Sequence, residues 1–275
     1  MRMRIRDPGA RDSFLTELAI VLSVVVPVYD EIRTIGSVLA RLSAALPHVA
    51  KQIIVVDDGS TDGTREWLTT NFPDGTRTGT RIAVNADGTL DFAAADGAAM
   101  TVQVIFHDAN KGKGAALRTA FAAVTGDVVV IQDADLEYDP NDWPAMYDLI
   151  AVRKVADVVY GSRFLGAPHR SLFYHHYLGN RLLSVLFNVC FNQTLTDIET
   201  CYKMMTREVL RSLRLTTDDF GIEVEISAQI ARQPGLRVYE LGISYYGRTY
   251  AEGKKIDWTD GLKAIWYLFK FRVTR

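Results

Sequence analysis

Cysteine is scarce in this chain, and long hydrophobic runs are missing. The two cysteines, Cys190 and Cys201, form no CxxC pair. That excludes a disulfide framework and points to a reducing compartment. No stretch reaches the roughly 18 apolar residues that a membrane span needs. The longest run, residues 182–191, is interrupted by Ser184 and Asn188. Residues 1–14 are basic but lead into no apolar segment, so they do not read as a signal peptide. Excess charge is lacking too. A net charge of −2 gives no reason to expect nucleic acid as a partner. His175-His176 has no further His or Cys at ligand spacing and reads as packing. No linker and no internal repeat break the chain. One domain is expected over residues 21–275, after an N-terminal extension of residues 1–20. The expected location is cytoplasmic, with peripheral contact at the cytoplasmic membrane face left open.

What is present is an alternation of strand and helix. Val21-Leu22-Ser23-Val24-Val25-Val26 reads as a buried parallel strand stopped by Pro27. Helical spacing follows over residues 32–46, and residues 53–56 form a second strand. Strands are expected at residues 102–106, 127–132, 157–163 and 237–245. Helices are expected at residues 113–124, 140–152, 175–191, 222–232 and, with an amphipathic pattern, 257–271. This is the pattern of an α/β fold with a doubly wound, mostly parallel sheet flanked by helices. Residues 71–99 break it. They are rich in Gly, Asp, Thr and Ala, with a hairpin signal at Asn85-Ala86-Asp87-Gly88, and read as a surface insertion.

Two acidic clusters follow apolar runs: Asp57-Asp58-Gly59-Ser60-Thr61-Asp62-Gly63 and Asp133-Ala134-Asp135. Carboxylates just beyond the C-terminal ends of buried strands stand where open α/β sheets bind ligands. A DxD pair suits a divalent cation that also holds a diphosphate, because Mg²⁺ and Mn²⁺ take carboxylate and phosphate oxygen. Asp58 can accept from the ring N–H of uracil or guanine, whereas Asp62 is placed to cap the next helix. Tyr29 offers an aromatic wall to a base or ribose, or fills the core. Asn110-Lys111-Gly112-Lys113-Gly114 combines small residues and two cations at a helix start, a place that attracts phosphate.

Four segments stand in order: Pro27-Val28-Tyr29-Asp30-Glu31, the Asp57–Gly63 cluster, Asn110-Lys111-Gly112-Lys113-Gly114, and Gln132-Asp133-Ala134-Asp135-Leu136-Glu137. Together they resemble the family 2 glycosyltransferases of GT-A fold, above all the polyprenyl-phosphate (dolichyl-phosphate) mannose and glucose synthases. The resemblance runs over about residues 21–272, with residues 71–99 as the departure. It implies a Rossmann-like nucleotide-binding half in which Pro27, Tyr29, Glu31, Asp58, Lys111, Gly112, Asp133 and Ala134 line the nucleotide-sugar pocket. It implies Mg²⁺ or Mn²⁺ held by Asp135. Glu137 stands where many of these synthases have Gln, either as a further ligand or facing solvent. Asp133 would contact ribose or a metal-bound water.

On the acceptor side, Gly161-Ser162-Arg163 matches a motif whose Arg lies near the phosphates. Asp197-Ile198-Glu199-Thr200-Cys201-Tyr202-Lys203 resembles the segment that places an acid beside the acceptor. Residues 246–255 resemble a basic loop that grips phosphate. Arg163, Arg248 and Lys254 are therefore expected on phosphate, with Asp197 and Arg248 as catalytic residues. The implied reaction is inverting, metal-dependent transfer of glucose or mannose from UDP or GDP to a polyprenyl phosphate. Two alternatives stay open. One is a family 2 enzyme acting on a saccharide or small-molecule hydroxyl, where Asp197 or Glu199 must take a proton. The other is an inactive nucleotide-sugar-binding protein. Arg170 is near, but offset from, a second phosphate-binding Arg of some synthases. Residues 168–176 and 258–271 mix aromatic and basic side chains, and offer a membrane-facing surface, a core edge or a dimer contact. A membrane partner subunit and a homodimer both remain open.

Overall fold

The unbroken apolar runs of the first half become the centre of a sheet, because a strand covered on both faces must be apolar throughout. The computed structural model describes residues 20–94, 96–166, 168–170, 173–249, 252 and 258–274. In chain order, β1 (Leu22–Val28) leads to α1 (Ile35–Ala44), and β2 (Lys51–Asp57) leads to α2 (Thr64–Asn71). Then come β3 (Thr76–Gly79), β4 (Arg81–Val84), β5 (Leu90–Ala93), β6 (Met100–Phe106) and α3 (Lys113–Ala122). β7 (Val128–Ile131), α4 (Trp143–Tyr147), β8 (Val158–Ser162) and α5 (Tyr174–Phe191) follow. The chain continues through β9 (Lys203–Thr206), α6 (Arg207–Ser212), α7 (Ile222–Ala231), β10 (Val238–Gly242) and α8 (Trp258–Val273).

One sheet takes the order β10-β8-β9-β7-β1-β2-β6-β3. β1, β2, β6 and β7 run parallel, as do β8 and β10. Pro27 does not stop β1: it pairs with Val56, and the strand continues to Val28. The chain fills β2 and β6 on one side of β1, then places β7 on the other. The order therefore reverses between β1 and β7, and a crevice opens beyond their C-terminal ends. Tyr29, Asp58 and Asp133 all lie on that rim.

The sequence pattern did not foretell β9. It runs antiparallel to both β7 and β8. Its start therefore lies beside their ends, and residues 195–202 reach the same rim as Asp133 and Ser162. Residues 71–99 do more than decorate the surface. β3 adds an antiparallel edge to β6, and β4 pairs with β5. Ile82 and Leu90 are buried, and Phe92 meets Phe72 edge-on at 5.8 Å. Residues 140–152 are not one α-helix. A 3₁₀ turn (Pro140–Asp142) precedes α4, and a π-helical turn (Asp148–Val152) follows it.

Candidate active site

Two loops at the switch point are held in left-handed backbone, which favours glycine but here carries Asp30 (φ 49°) and Leu136 (φ 64°). Such strain persists only where the surroundings over-determine it. Around Asp30 those surroundings are visible. Its N–H donates to Ser60 Oγ (2.9 Å), and its Oδ1 accepts from the Thr61 N–H (2.7 Å). The β1 and β2 loops are thereby fixed to each other. Tyr29, just before, is 37% exposed, so its ring faces the crevice side rather than the core.

Arg248 closes the site from above. The segment that carries it bridges Tyr138 and His169 through Tyr245. Arg170 steadies it further, donating to Gly247 O (3.2 Å) and pairing with Glu252 (2.8 Å). The Arg248 guanidinium then meets carboxylates from two loops. Its Nη2 donates to Glu31 Oε1 (3.1 Å) and Asp135 Oδ2 (3.2 Å), its Nη1 to Glu31 Oε2 (3.2 Å), and its Nε to Glu137 Oε1 (3.3 Å). Glu137 is further tied by the Tyr245 hydroxyl (2.6 Å) and the Arg248 N–H (2.9 Å). Burial pushes the Asp135 carboxyl up to about 8; Asp133 and Glu137 add to this, and Arg248 pulls it back.

Carboxylates gathered out of water need a cation, and here a guanidinium serves. That is the test of fit for Mg²⁺ or Mn²⁺. The donors are hard oxygens converging on a point that a positive group already fills. Among the described residues no three His, Cys, Asp or Glu side chains form a ready-made cage.

Asp58 is spent inside the protein. It is 2% exposed, and its carboxylate accepts from the amides of Lys111 (3.0 Å) and Gly112 (2.7 Å). His107 Nδ1 stands 2.6 Å from its Oδ1, while His107 Nε2 lies 2.8 Å from Thr119 Oγ1. A buried carboxylate must find donors. The amides of Lys111 and Gly112, just before α3, supply them. Asp58 thus shapes the pocket by fixing the Lys111-Gly112 turn. Gly59 is required here: its φ is +75°, and a Cβ would sit 2.5 Å from the Asn110 nitrogen. Lys111 lies against a cavity of about 390 Å³ that His107, Ala115, Arg118 and Thr119 also line.

Asp133 and Ala134 follow β7, with Ala134 buried. Asp133 Oδ1 pairs with Lys113 (2.8 Å), Lys113 also with Glu223 Oε1 (3.1 Å), and Glu223 Oε2 with Lys203 (2.5 Å). Asp197 is 0% exposed and clamped by Arg163, whose Nε (2.7 Å) and Nη2 (2.8 Å) each donate to one carboxylate oxygen. Lys254 lies outside the described residues. Truncating one partner of a buried ion pair leaves the other uncompensated, at about 3–5 kcal/mol. Arg163→Ala is therefore expected to lower the denaturant midpoint by that much stability, measured by urea unfolding, and an unchanged midpoint would contradict the pairing.

Sequence reasoning did not single out His107, Glu223 or Lys203 as site residues, and offered Lys113 only as added charge. One signal was there to use. α7 reads Ile-Glu-Val-Glu-Ile-Ser-Ala, and every residue from Ile222 to Ala228 is buried. Two glutamates in a helix buried on all sides must have partners. Glu223 finds the lysines. Glu225 accepts from the amides of Thr216 and Thr217 (3.0 and 2.9 Å). That fixes the turn against which Gly112 and Gly114 pack.

Residues 23–86 and 85–214 match the model of glycosyl transferase family 2. The chain belongs to this family. It is 28% identical to the glycosyltransferase AglJ of Haloferax volcanii, over 85% of this chain and 66% of that protein. It is 25% identical to a dolichol-phosphate mannosyltransferase of Pyrococcus furiosus, over 91% of this chain and 64% of that protein. It thus spans about two thirds of the length of these two relatives. An undecaprenyl-phosphate mannosyltransferase of Micrococcus luteus is 27% identical, with 84% and 85% of the two chains covered. Among solved structures, glucosyl-3-phosphoglycerate synthase from Mycobacterium tuberculosis, bound to Mn²⁺, UDP and phosphoglyceric acid, superposes with a TM-score of 0.65. It is 18% identical and covers 93% of this chain and 80% of its own. The fold is therefore the GT-A arrangement that the motifs imply.

Proposed function

We propose that this protein transfers a hexose, glucose or mannose, from UDP or GDP to a polyprenyl phosphate, with inversion and with Mg²⁺ or Mn²⁺. The observation that carries the reading is the Arg248 guanidinium gripped by Glu31, Asp135 and Glu137 at the switch point. When bound through Asp135, the cation would offset charge developing on the departing diphosphate. Arg248, released from the carboxylates, grips the same diphosphate, since guanidinium matches phosphate oxygen pairs. Tyr29 and Pro27 wall the base, and Asp58 keeps the Lys111-Gly112 turn in place beneath it. The dolichol- and undecaprenyl-phosphate transferases among the relatives support the lipid acceptor.

The surface supports it as well. α5 exposes Tyr174, Leu178, Leu182, Val185 and Val189 at helical spacing, and α8 exposes Leu262, Trp266 and Phe269. The two helices pack on each other. α5 has no acidic residue, and α8 carries Lys263, Lys270 and Arg272. Apolar faces edged by cations suit an anionic lipid surface. Among the described residues no helix is long and apolar enough to cross a membrane. In the deciding assay, radiolabelled UDP-glucose or GDP-mannose is supplied with Mn²⁺ and anionic vesicles containing polyprenyl phosphate. Label is expected in the organic extract, and protein in the vesicle pellet. Label confined to a water-soluble saccharide would overturn the lipid acceptor, and unconsumed donor of both kinds would favour a non-catalytic binding protein.

A further inference from the structure

We infer that Phe164 and Tyr177 hold the first isoprene units of the polyprenyl phosphate acceptor, on a path from Arg163 to the exposed face of α5. The inference rests on the transferase reading above and deepens it, because it names the side chains that recognise the acceptor's tail.

The path begins beside the donor site. The Tyr245 hydroxyl donates to Glu137 Oε2 (2.6 Å), and the Arg163 guanidinium lies 5.4 Å from the centre of the same ring. One tyrosine thus separates Arg163 from the carboxylates that grip Arg248. Asp197 takes the Nε and Nη2 of Arg163 (2.7 and 2.8 Å) and so fixes the plane of the guanidinium. Nη1 makes no hydrogen bond among the described residues, yet it is not shut off from solvent, and the side chain keeps 13% exposure. That nitrogen is left to meet a phosphate oxygen.

An apolar track starts at the same guanidinium. The centre of the Phe164 ring is 5.7 Å from Arg163 Cζ. Phe164 meets Tyr177 edge-on, with ring centres 5.3 Å apart, and Tyr177 meets Tyr174 at 6.2 Å. Phe164 is half-buried, Tyr177 is 46% exposed, and Tyr174 is more exposed still. Leu178, Leu182, Val185 and Val189 carry the exposed stripe onward at helical spacing. From Tyr174 to Val189 it runs about 22 Å along the helix. Exposed apolar surface that is continuous in this way marks a contact site, and hydrocarbon gains by leaving water for the faces and edges of rings.

A row of rings that starts at a cation and opens onto a bare helix face fits a molecule with phosphate at one end and a long hydrocarbon behind it. A water-soluble phosphate would use Arg163 and leave the rings idle. A membrane surface would use the helix face and need no link to Arg163. α8 offers no such link. Its Trp266, Tyr267 and Phe271 contact one another and Lys270. Among the described residues no ring contact joins them to Arg163, whose ring partners are Phe164 and Tyr245.

The test is run in detergent, so that vesicle binding by α5 plays no part. Wild type, Tyr177→Ala, Tyr177→Phe and Phe164→Leu are compared on three acceptors: a long polyprenyl phosphate, geranyl phosphate and methyl phosphate. Tyr177→Ala is expected to lower kcat/KM about tenfold for both isoprenyl phosphates, through acceptor KM, as befits the lost apolar contact of one ring. Geranyl phosphate should suffer as much as the long lipid, because the rings hold only the units next to the phosphate. Methyl phosphate has no chain to place, so its kcat/KM should not respond, and neither should the donor Kd read by calorimetry. If methyl phosphate is no substrate, the donor Kd serves alone as the reference. Tyr177→Phe keeps the ring and should match wild type, and Phe164→Leu should lose part of what Tyr177→Ala loses. A photoreactive group on the second isoprene unit should label Phe164 or the start of α5, read by mass spectrometry of peptides. Isoprenyl kcat/KM unchanged in Tyr177→Ala, or label confined to α8, would overturn the path. An equal loss with methyl phosphate or in donor Kd would overturn it as well, since general damage to the site acts that way. Should Phe164→Leu fail to fold, the exposed Tyr177 decides. A wild type that labels neither isoprenyl phosphate removes the lipid acceptor itself, a result distinct from labelling that persists in Tyr177→Ala.

Discussion

Asp135→Ala is expected to lower sugar transfer about a thousandfold, because a bound metal supplies several kcal/mol of charge stabilisation and each ~1.4 kcal/mol is a factor of ten. It should also erase the difference between donor binding with Mn²⁺ and with EDTA. The carboxylate is poised for this. Burial and two acidic neighbours make its charge costly in the present surroundings, so a divalent ion there relieves strain that the guanidinium relieves only in part. The fold itself should hardly respond, since Arg248 keeps Glu31 and Glu137 when Asp135 is gone. Calorimetric titration of UDP-glucose and GDP-mannose against both proteins reads the result. Metal-dependent binding that survives in Asp135→Ala would move the metal elsewhere.

Arg248→Ala should act in opposite directions on two ligands. Transfer should fall by about 10²–10³, the usual loss when a group aimed at developing charge is removed. Yet Mn²⁺ alone should bind more tightly than to wild type, by about tenfold if one competing ion pair of ~1.4 kcal/mol is removed. The reason is the location of the guanidinium, 3.2 Å from Asp135 Oδ2 and 3.1 Å from Glu31 Oε1. Donor-free Mn²⁺ titration followed by electron paramagnetic resonance measures it. Weaker Mn²⁺ binding in the variant would show that Arg248 supports the cation site instead of competing for it. Arg248→Lys should behave more like Ala than like Arg, because a point charge cannot bridge carboxylates from two loops at once.

The parts of the fold that could be read from sequence are those whose burial is uniform. β1, β2 and β7 carry apolar runs because both their faces are covered, and each run ends at an acidic or turn residue, whereas β6 alternates buried and half-buried positions. β9 is only Lys203-Met204-Met205-Thr206, too short to show a period and opened by a lysine whose burial depends on Glu223. β3, Thr76-Arg77-Thr78-Gly79, is an edge strand, where polar residues belong. The DxD pair, Glu31 and Arg248 were legible as residues. Their meeting was not, since Arg248 lies 217 positions from Glu31. The same holds for Asp58. Its acceptor chemistry was legible, but only the folded chain shows the amides of Lys111 and Gly112 donating to it.

The reversed direction of β9 has a consequence for how such a protein can change. A strand that runs against its neighbours begins where they end, so residues 195–202 arrive at the rim beside Asp133 and Ser162 from a separate part of the chain. Residues 203–206 are joined to β7 and β8 by backbone pairing that tolerates most side chains, whereas residues 195–202 are held by side chains, Asn188 on Leu195, Glu240 on Thr196, Tyr138 on Cys201 and Tyr202 on Gln132. A graft of residues 195–206 from a relative with a different acceptor should therefore dock in the same slot only where these partners are kept, along with Lys203 on Glu223 and Asp197 on Arg163. On the transferase reading proposed above, donor and acceptor choice would lie on different stretches of one sheet, coupled by Lys113 between Asp133 and Glu223.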